Sequence, residues 1–67
     1  MEKLSIYATF FSEEKVLGIG YAADVSDIFG ALSMGRDTTP TADEVLSFVK
    51  GRVDLEKFEV EVTILLS

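Results

Sequence analysis

Cysteine and histidine are both absent from this 67-residue chain. Without cysteine there are neither disulfide bonds nor thiolate metal ligands, and without histidine the commonest general base is missing. Catalysis by two carboxylates needs a cleft that holds them in place, and so short a chain has little room for one. These absences predict a protein that is not an enzyme and that has no cofactor and no metal site.

Long hydrophobic runs are missing as well. The longest uninterrupted run is only a few residues, whereas a membrane-spanning helix needs about 20. The opening Met1-Glu2-Lys3, followed by an alternating segment, does not have the pattern of a secretory signal. Together with the lack of cysteine, this predicts a cytoplasmic protein that does not bind membranes.

Positive charge is scarce, with 6 Lys and Arg against 12 Asp and Glu and a net charge of −6. This charge repels phosphate backbones, and no basic cluster overcomes it locally, so we expect no direct binding to nucleic acid. With 48% hydrophobic residues and a single proline, the composition is that of one small folded domain, residues 1–67. Its expected free energy of unfolding is about 3–10 kcal/mol.

A β-hairpin is predicted at the start of the chain. The segment "KLSIYATFF", residues 3–11, alternates as a half-buried strand does, and "SEEK", residues 12–15, has the length of a hairpin loop. Four loop residues place Phe11 opposite Val16 in the returning strand, residues 16–22, which fixes the other pairs. The apolar face then holds Phe10/Leu17, Ala8/Ile19, Ile6/Tyr21 and Leu4/Ala23. The mixed face holds Phe11/Val16, Thr9/Gly18, Tyr7/Gly20 and Ser5/Ala22.

The returning strand contains Gly18-x-Gly20-x-x-Ala23, a spacing also found where dinucleotides bind. That motif needs its glycines in the turn after a strand, and a second parallel strand further on. Here the register puts both glycines in the middle of a strand, and residues 35–42, "GRDTTPTA", contain no strand pattern. The sequence therefore indicates no dinucleotide site, and we expect the ring of Tyr7 to cover the bare backbone at Gly20.

Two short helices are predicted next. The first spans residues 24–34, with Asp24 as N-cap, Asp27 in the first turn and Gly35 at the end. Its apolar stripe is Val25, Ile28, Phe29 and Leu32. Gly30, inside this helix, would permit close approach of another backbone.

The second helix begins with a capping box in which Thr41 is the N-cap and Glu44 bonds back to it. It extends to about Lys50 and turns Val45, Phe48 and Val49 inward. Residues 58–66, "FEVEVTILL", then form the clearest strand in the chain.

The order of these elements is β-β-α-α-β. Strands followed by helices predict an α+β fold, a three-stranded sheet with two short helices packed on one face. The last strand could pair with the first or with the second strand. We expect it beside the first, which gives a mixed sheet of order 2-1-3.

Polar clusters in the loops are better explained by local structure than by ligands. The segment Thr38-Thr39-Pro40-Thr41, near Arg36, precedes a helix N-terminus, where anions can bind. However, Thr41 already serves as the cap, and neighbouring carboxylates would repel an anion. The acidic pairs Asp24/Asp27 and Asp54/Glu56 lack the alternating oxygen ligands of a calcium loop.

The face of the sheet opposite the helices is the candidate contact surface. It would expose an aromatic pair, other apolar residues and bare glycine backbone, which is more than the scattered apolar residues of an ordinary surface. The residues assigned to it are Tyr7, Thr9, Phe11, Val16, Glu59, Glu61, Thr63 and Leu65. Edge strands with little basic or proline protection could also pair with another chain.

This surface predicts a small acidic protein-interaction module that forms a homodimer through its sheet face or edge and binds a protein partner. The alternative is an inhibitor of viral or mobile-element type that mimics nucleic acid. Glu59 and Glu61, about 6.7 Å apart along one strand, would begin its acidic track, which Asp24, Asp27, Asp43 and Glu44 would extend. A subunit of a larger assembly and a small-molecule binder also remain open.

Overall fold

A computed structural model describes residues 2–24 and 27–67, with side chains for residues 2–23 and 30–67. Its strands are β1 (Glu2–Phe11), β2 (Val16–Asp24), β3 (Asp27–Gly35) and β4 (Phe58–Leu66), its helix is α1 (Ala42–Val49), and Leu55–Lys57 form a 3-10 turn. The strands form one sheet of order β3-β2-β1-β4. β4 is parallel to β1, while the other pairs are antiparallel.

The predicted hairpin is confirmed. β1 and β2 pair from Ser5 opposite Ala22 to Phe11 opposite Val16, and the loop ends at Lys15, which has φ 54°. The last strand lies beside β1, as expected, so that Leu4 is opposite Val60. The mixed sheet and the α+β class therefore follow the sequence analysis.

The helix predicted over residues 24–34 is wrong, because the part of this segment from Asp27 onwards lies in β3. Asp24 ends β2 instead of capping a helix, and Gly35 ends the strand. Val25, part of the predicted stripe, lies outside the described residues. The described protein therefore has four strands, one helix and a 3-10 turn in place of three strands and two helices.

The sequence of β3 fits both the two-residue period of a strand and the period of a helix. Leu32 and Met34 alternate with Ala31 and Ser33, and the first two are half-buried while the others are exposed. Because the alternate positions also carry small or apolar residues, the period of two is hard to distinguish from that of a helix. The strand satisfies the backbone hydrogen bonds that β2 would otherwise leave open at its second edge.

The core lies on one side of the sheet, under α1. Buried side chains come from alternate positions of β1 and β2 and from the helix face that carries Val45 and Val49. They are Leu4, Ile6, Ala8, Phe10, Leu17, Ile19, Tyr21, Val45 and Val49. This is the apolar face predicted for the hairpin, and Phe48 packs against it as expected.

The predicted capping box starts α1. The backbone N–H of Glu44 donates to Thr41 Oγ1 and the backbone N–H of Thr41 donates to Glu44 Oε1, both at 3.2 Å. Arg36 Nη2 donates to Glu44 Oε2 at 2.5 Å, and its Nε donates to the Thr38 carbonyl at 2.6 Å. One carboxylate thus joins the end of β3 to the start of the helix.

These bonds predict a pH-dependent contribution to stability. The Thr41 N–H and the Arg36 guanidinium lower the pKa of Glu44 below its ordinary value of 4.5. Because folding lowers this pKa, the stabilisation is present above pH 4.5 and is lost as the pH falls through the lowered value. We expect Glu44→Gln to destabilise the protein at about pH 7 and to have a smaller effect at about pH 3. Urea unfolding at both pH values tests this, and an equal difference at both would contradict it.

Candidate protein-interaction surface

The sheet has a second side, which we call the outer face. Helix α1 and the 3-10 turn pack on the opposite side through Val45, Val49 and Leu55, so within residues 2–24 and 27–67 neither covers the outer face. Several large side chains are accordingly exposed there: Tyr7 by 53%, Leu65 by 48% and Phe11 by 36%. The outer face is therefore an open surface with apolar content.

An aromatic ridge stands on this face along β1. It consists of Tyr7, Thr9 and Phe11, which are alternate residues of one strand and so project to the same side. In the parallel pairing Thr63 lies opposite Tyr7, and Leu65 lies opposite Thr9. The apolar surface therefore continues from the ridge onto β4.

A bare shelf lies on the other side of the ridge. It consists of Gly18 and Gly20 on β2 with Ser33 and Ala31 opposite them on β3. Ridge and shelf enclose a groove of about 350 Å³ that is open towards solvent. The shelf spans two strands that carry no large side chain at these positions on the outer face. It is therefore about 10 Å wide, twice the spacing of neighbouring strands.

The two glycines are required neither by the backbone nor by packing within the chain. All five glycines of the sequence are described, and none has positive φ. A Cβ added at Gly18 would make ordinary contact with Phe11 Cε2 at 4.0 Å, and one added at Gly20 would meet nothing within 4 Å. The prediction that Tyr7 covers Gly20 is therefore wrong, and the backbone there stays bare.

Charge on the outer face is concentrated at the end of the sheet where β1 begins. Lys3 Nζ contacts Glu61 Oε2 at 2.7 Å, and Glu59 lies opposite Lys3. Hydrogen bonding and Coulomb attraction to Glu61 raise the pKa of Lys3, and Glu59 adds to this effect. The ridge and the shelf carry no charged side chain.

All the residues predicted for the contact surface lie on the outer face, as the pairings of β1, β2 and β4 require. The outer face also includes Ala31 and Ser33 of β3, which the sequence analysis places in a helix and so does not assign to the surface. Lys3 is likewise not among the predicted residues. The alternation of Leu32 and Met34 with small residues was the sequence signal that could have identified β3 as a strand.

The acidic track considered for nucleic-acid mimicry is interrupted by cations. Lys3 pairs with Glu61, and Arg36 pairs with Glu44. The side chains of Asp24 and Asp27, which would extend the track, lie outside the described residues. The observed pairs leave fewer free carboxylates than the sequence pattern indicates.

Two of the three polar clusters adopt capping structures, whereas Asp24 and Asp27 belong to β2 and β3 and cap no helix. Besides the box at Thr41, Asp54 Oδ1 accepts a hydrogen bond from the Glu56 backbone N–H at 3.1 Å. In the described part of the chain there is no group of three or more acidic, His or Cys side chains placed to hold a metal ion. Nor does any helix among those residues have the length and apolar character to span a membrane.

Comparison with protein-family models, with curated proteins and with solved structures finds no match in any of the three.

Proposed function

We propose that this protein is a non-catalytic protein-interaction module whose contact surface is the outer face of its sheet. The observation that carries this proposal is Gly20, a glycine in the middle of a central strand with open space above it. Glycine inside a strand destabilises it by about 0.5–1 kcal/mol relative to alanine. Among the described residues nothing lies over Gly20 to offset that cost, and such glycines often mark sites where another molecule approaches the backbone closely.

The aromatic ridge provides the matching anchors. Tyr7 and Phe11 are large, have few rotatable bonds and stand at the border of the bare shelf. Exposed aromatic side chains of this kind contribute most of the binding energy in many protein interfaces, where uncharged residues also occupy the centre. The ionic group of Lys3, Glu59 and Glu61 lies towards the end of the face, as expected for the polar rim of an interface.

The shape of the groove favours a protein over a small molecule. Sites for small ligands enclose most of the ligand surface, whereas this groove is open towards solvent. A shelf about 10 Å wide matches the diameter of an α-helix. The net charge of −6 disfavours nucleic acid as the partner.

A charge placed on the ridge tests the proposal. Tyr7→Lys leaves the fold intact, because the side chain is 53% exposed, but puts an ammonium group where an apolar contact forms. Ser47→Lys, on the exposed side of α1, is the matched control. The wild type and Ser47→Lys should capture the same proteins from lysate in equal amounts. We expect Tyr7→Lys to bind these proteins at least tenfold more weakly in quantitative mass spectrometry, which corresponds to about 1.4 kcal/mol of binding free energy.

Two results would contradict this function. One is capture that Tyr7→Lys leaves unchanged, which would place binding outside the outer face. The other is a captured DNA-binding protein that duplex DNA or high salt displaces, since salt screens a charge-driven contact. That result would support the nucleic-acid mimic instead.

A further inference from the structure

We propose that the outer face binds a second copy of the chain, with the ridge of each copy lying on the shelf of the other. This inference rests on the proposed function and names the partner. The two features lie side by side on one face, the ridge on β1 and the shelf on β2 and β3. A surface that carries both a projection and its own receptor is self-complementary, which is what a two-fold dimer requires.

The direction of the two-fold axis follows from this arrangement. An axis parallel to the strands exchanges positions across the sheet, so it can carry the β1 ridge over the β2–β3 shelf. It also leaves each position along the strands unchanged. Because Tyr7, Gly20 and Ala31 lie at one level of the sheet, Tyr7 of one copy then covers Gly20 and Ala31 of the other.

An axis perpendicular to the strands gives a poorer contact. It would place the ridge on its own counterpart, Tyr7 near Phe11 of the other copy, and the shelf against the shelf. Two bare shelves facing each other would leave a gap, whereas protein contacts reach high packing density. The parallel axis fills the space above Gly20 with the ring of Tyr7 and places Thr9 over Gly18, which lies at the same level of the sheet.

The charges fit the parallel arrangement. With the ridge over the shelf, β4 of each copy extends past the β3 edge of the other, so Glu59 and Glu61 stay at the solvent-exposed rim. The centre of the contact is uncharged, while each copy carries a net charge of −6. Salt screens the repulsion between the copies, so we expect the dimer to become tighter as ionic strength rises.

The contact between the two copies would be small. The overlapping strands β1, β2 and β3, of ten, nine and nine residues, cover about 14 Å by 30 Å, or about 800 Å² for both copies together. This is below the roughly 1,200–2,000 Å² that stable specific interfaces bury and within the range of weak, transient contacts. We therefore expect a reversible dimer with a Kd in the micromolar range or weaker.

Isotope-filtered NMR tests the arrangement without altering the protein. A mixture of ¹³C-labelled and unlabelled copies shows transferred magnetisation only between different chains. We expect signals between the Tyr7 ring of one copy and the Ala31 methyl group and Gly20 Hα of the other. Within one chain Tyr7 and Ala31 are two strands apart, about 9.6 Å, so the filtered signal identifies the contact between chains.

Other results would overturn the inference. Signals between the Leu32 side chains of two copies would show edge pairing of β3, and signals between Tyr7 and Phe11 would show the perpendicular axis. Sedimentation equilibrium that finds only monomer at about 1 mM, well above a micromolar Kd, would exclude a second copy as the occupant. In that case the capture experiment with Tyr7→Lys would still decide whether the outer face binds a different protein.

Discussion

Replacing Gly20 with valine is expected to stabilise the folded protein and to abolish most of its association. Glycine inside a strand lowers the free energy of unfolding by roughly 0.5–1 kcal/mol relative to alanine. Valine removes this penalty, and its β-branched side chain suits a strand. At Gly20 the new Cβ meets nothing within 4 Å. We therefore expect the free energy of unfolding to rise by about 0.5–1.5 kcal/mol, or roughly 4–8 °C in Tm per kcal/mol.

Association is expected to change in the opposite direction. The valine side chain would occupy the space into which the ring of the second copy fits, and excess volume in a packed contact costs about 1–3 kcal/mol. This predicts a Kd at least about tenfold higher. If Gly20→Val stabilises the fold but weakens association, the glycine serves the contact between copies and not the fold. If it were a structural residue, its replacement would lower the free energy of unfolding.

Thermal unfolding and sedimentation equilibrium on the same samples measure both quantities. Ser47→Ala on α1 is the matched control, because better helix propensity raises stability slightly at a residue far from the outer face. Its Kd should equal that of the wild type. If Gly20→Val destabilised the protein, or left Kd unchanged, the glycine would not be there for a contact.

Gly30→Ala is expected to have the largest effect on stability. On the core side of the sheet, Tyr21 lies opposite Gly30, and a Cβ added there would be 2.8 Å from its Oη and 3.2 Å from its Cζ. Tyr21 is only 5% exposed, so its ring cannot move aside freely. Overpacking of this kind costs about 1–3 kcal/mol, a large part of the expected 3–10 kcal/mol for a chain of this length.

A second substitution identifies the atom responsible. Tyr21→Phe removes the Oη, so Gly30→Ala should cost less in that background than in the wild type. Gly20→Ala is the matched control, since it adds the same methyl group to the neighbouring strand without a clash. Urea unfolding of the four proteins in the cycle measures the coupling. Equal costs of Gly30→Ala in both backgrounds would exclude the Tyr21 hydroxyl as the cause.

The parts of the fold that sequence alone predicts are those in which neighbouring residues decide the structure. The register of β1 and β2 follows from a four-residue loop and from alternation that a shift of one residue would destroy. The start of α1 follows from the spacing of Thr41 and Glu44. In both cases local chemistry and tertiary packing favour the same answer.

β3 could not be predicted in the same way. Gly30 costs stability in a helix and in a strand alike, and Ala31 suits a helix better than a strand. The tertiary contacts decide, because β2 needs a partner at its second edge and Tyr21 needs the space above Gly30. The contact surface was predicted only on the β1, β2 and β4 side for this reason, and the shelf became visible once β3 was in place.

The most direct test of the account is a dilution series followed by amide chemical shifts. Between about 1 mM and 10 µM, concentrations that bracket a Kd of about 100 µM, we expect shifts to change at Tyr7, Gly18, Gly20 and Ala31 and to stay constant along Ala42–Val49. That result would show that copies of the chain meet through the outer face of the sheet. Changes confined to the helix, or no change at any residue, would contradict the claim that the bare backbone at Gly20 is a contact surface.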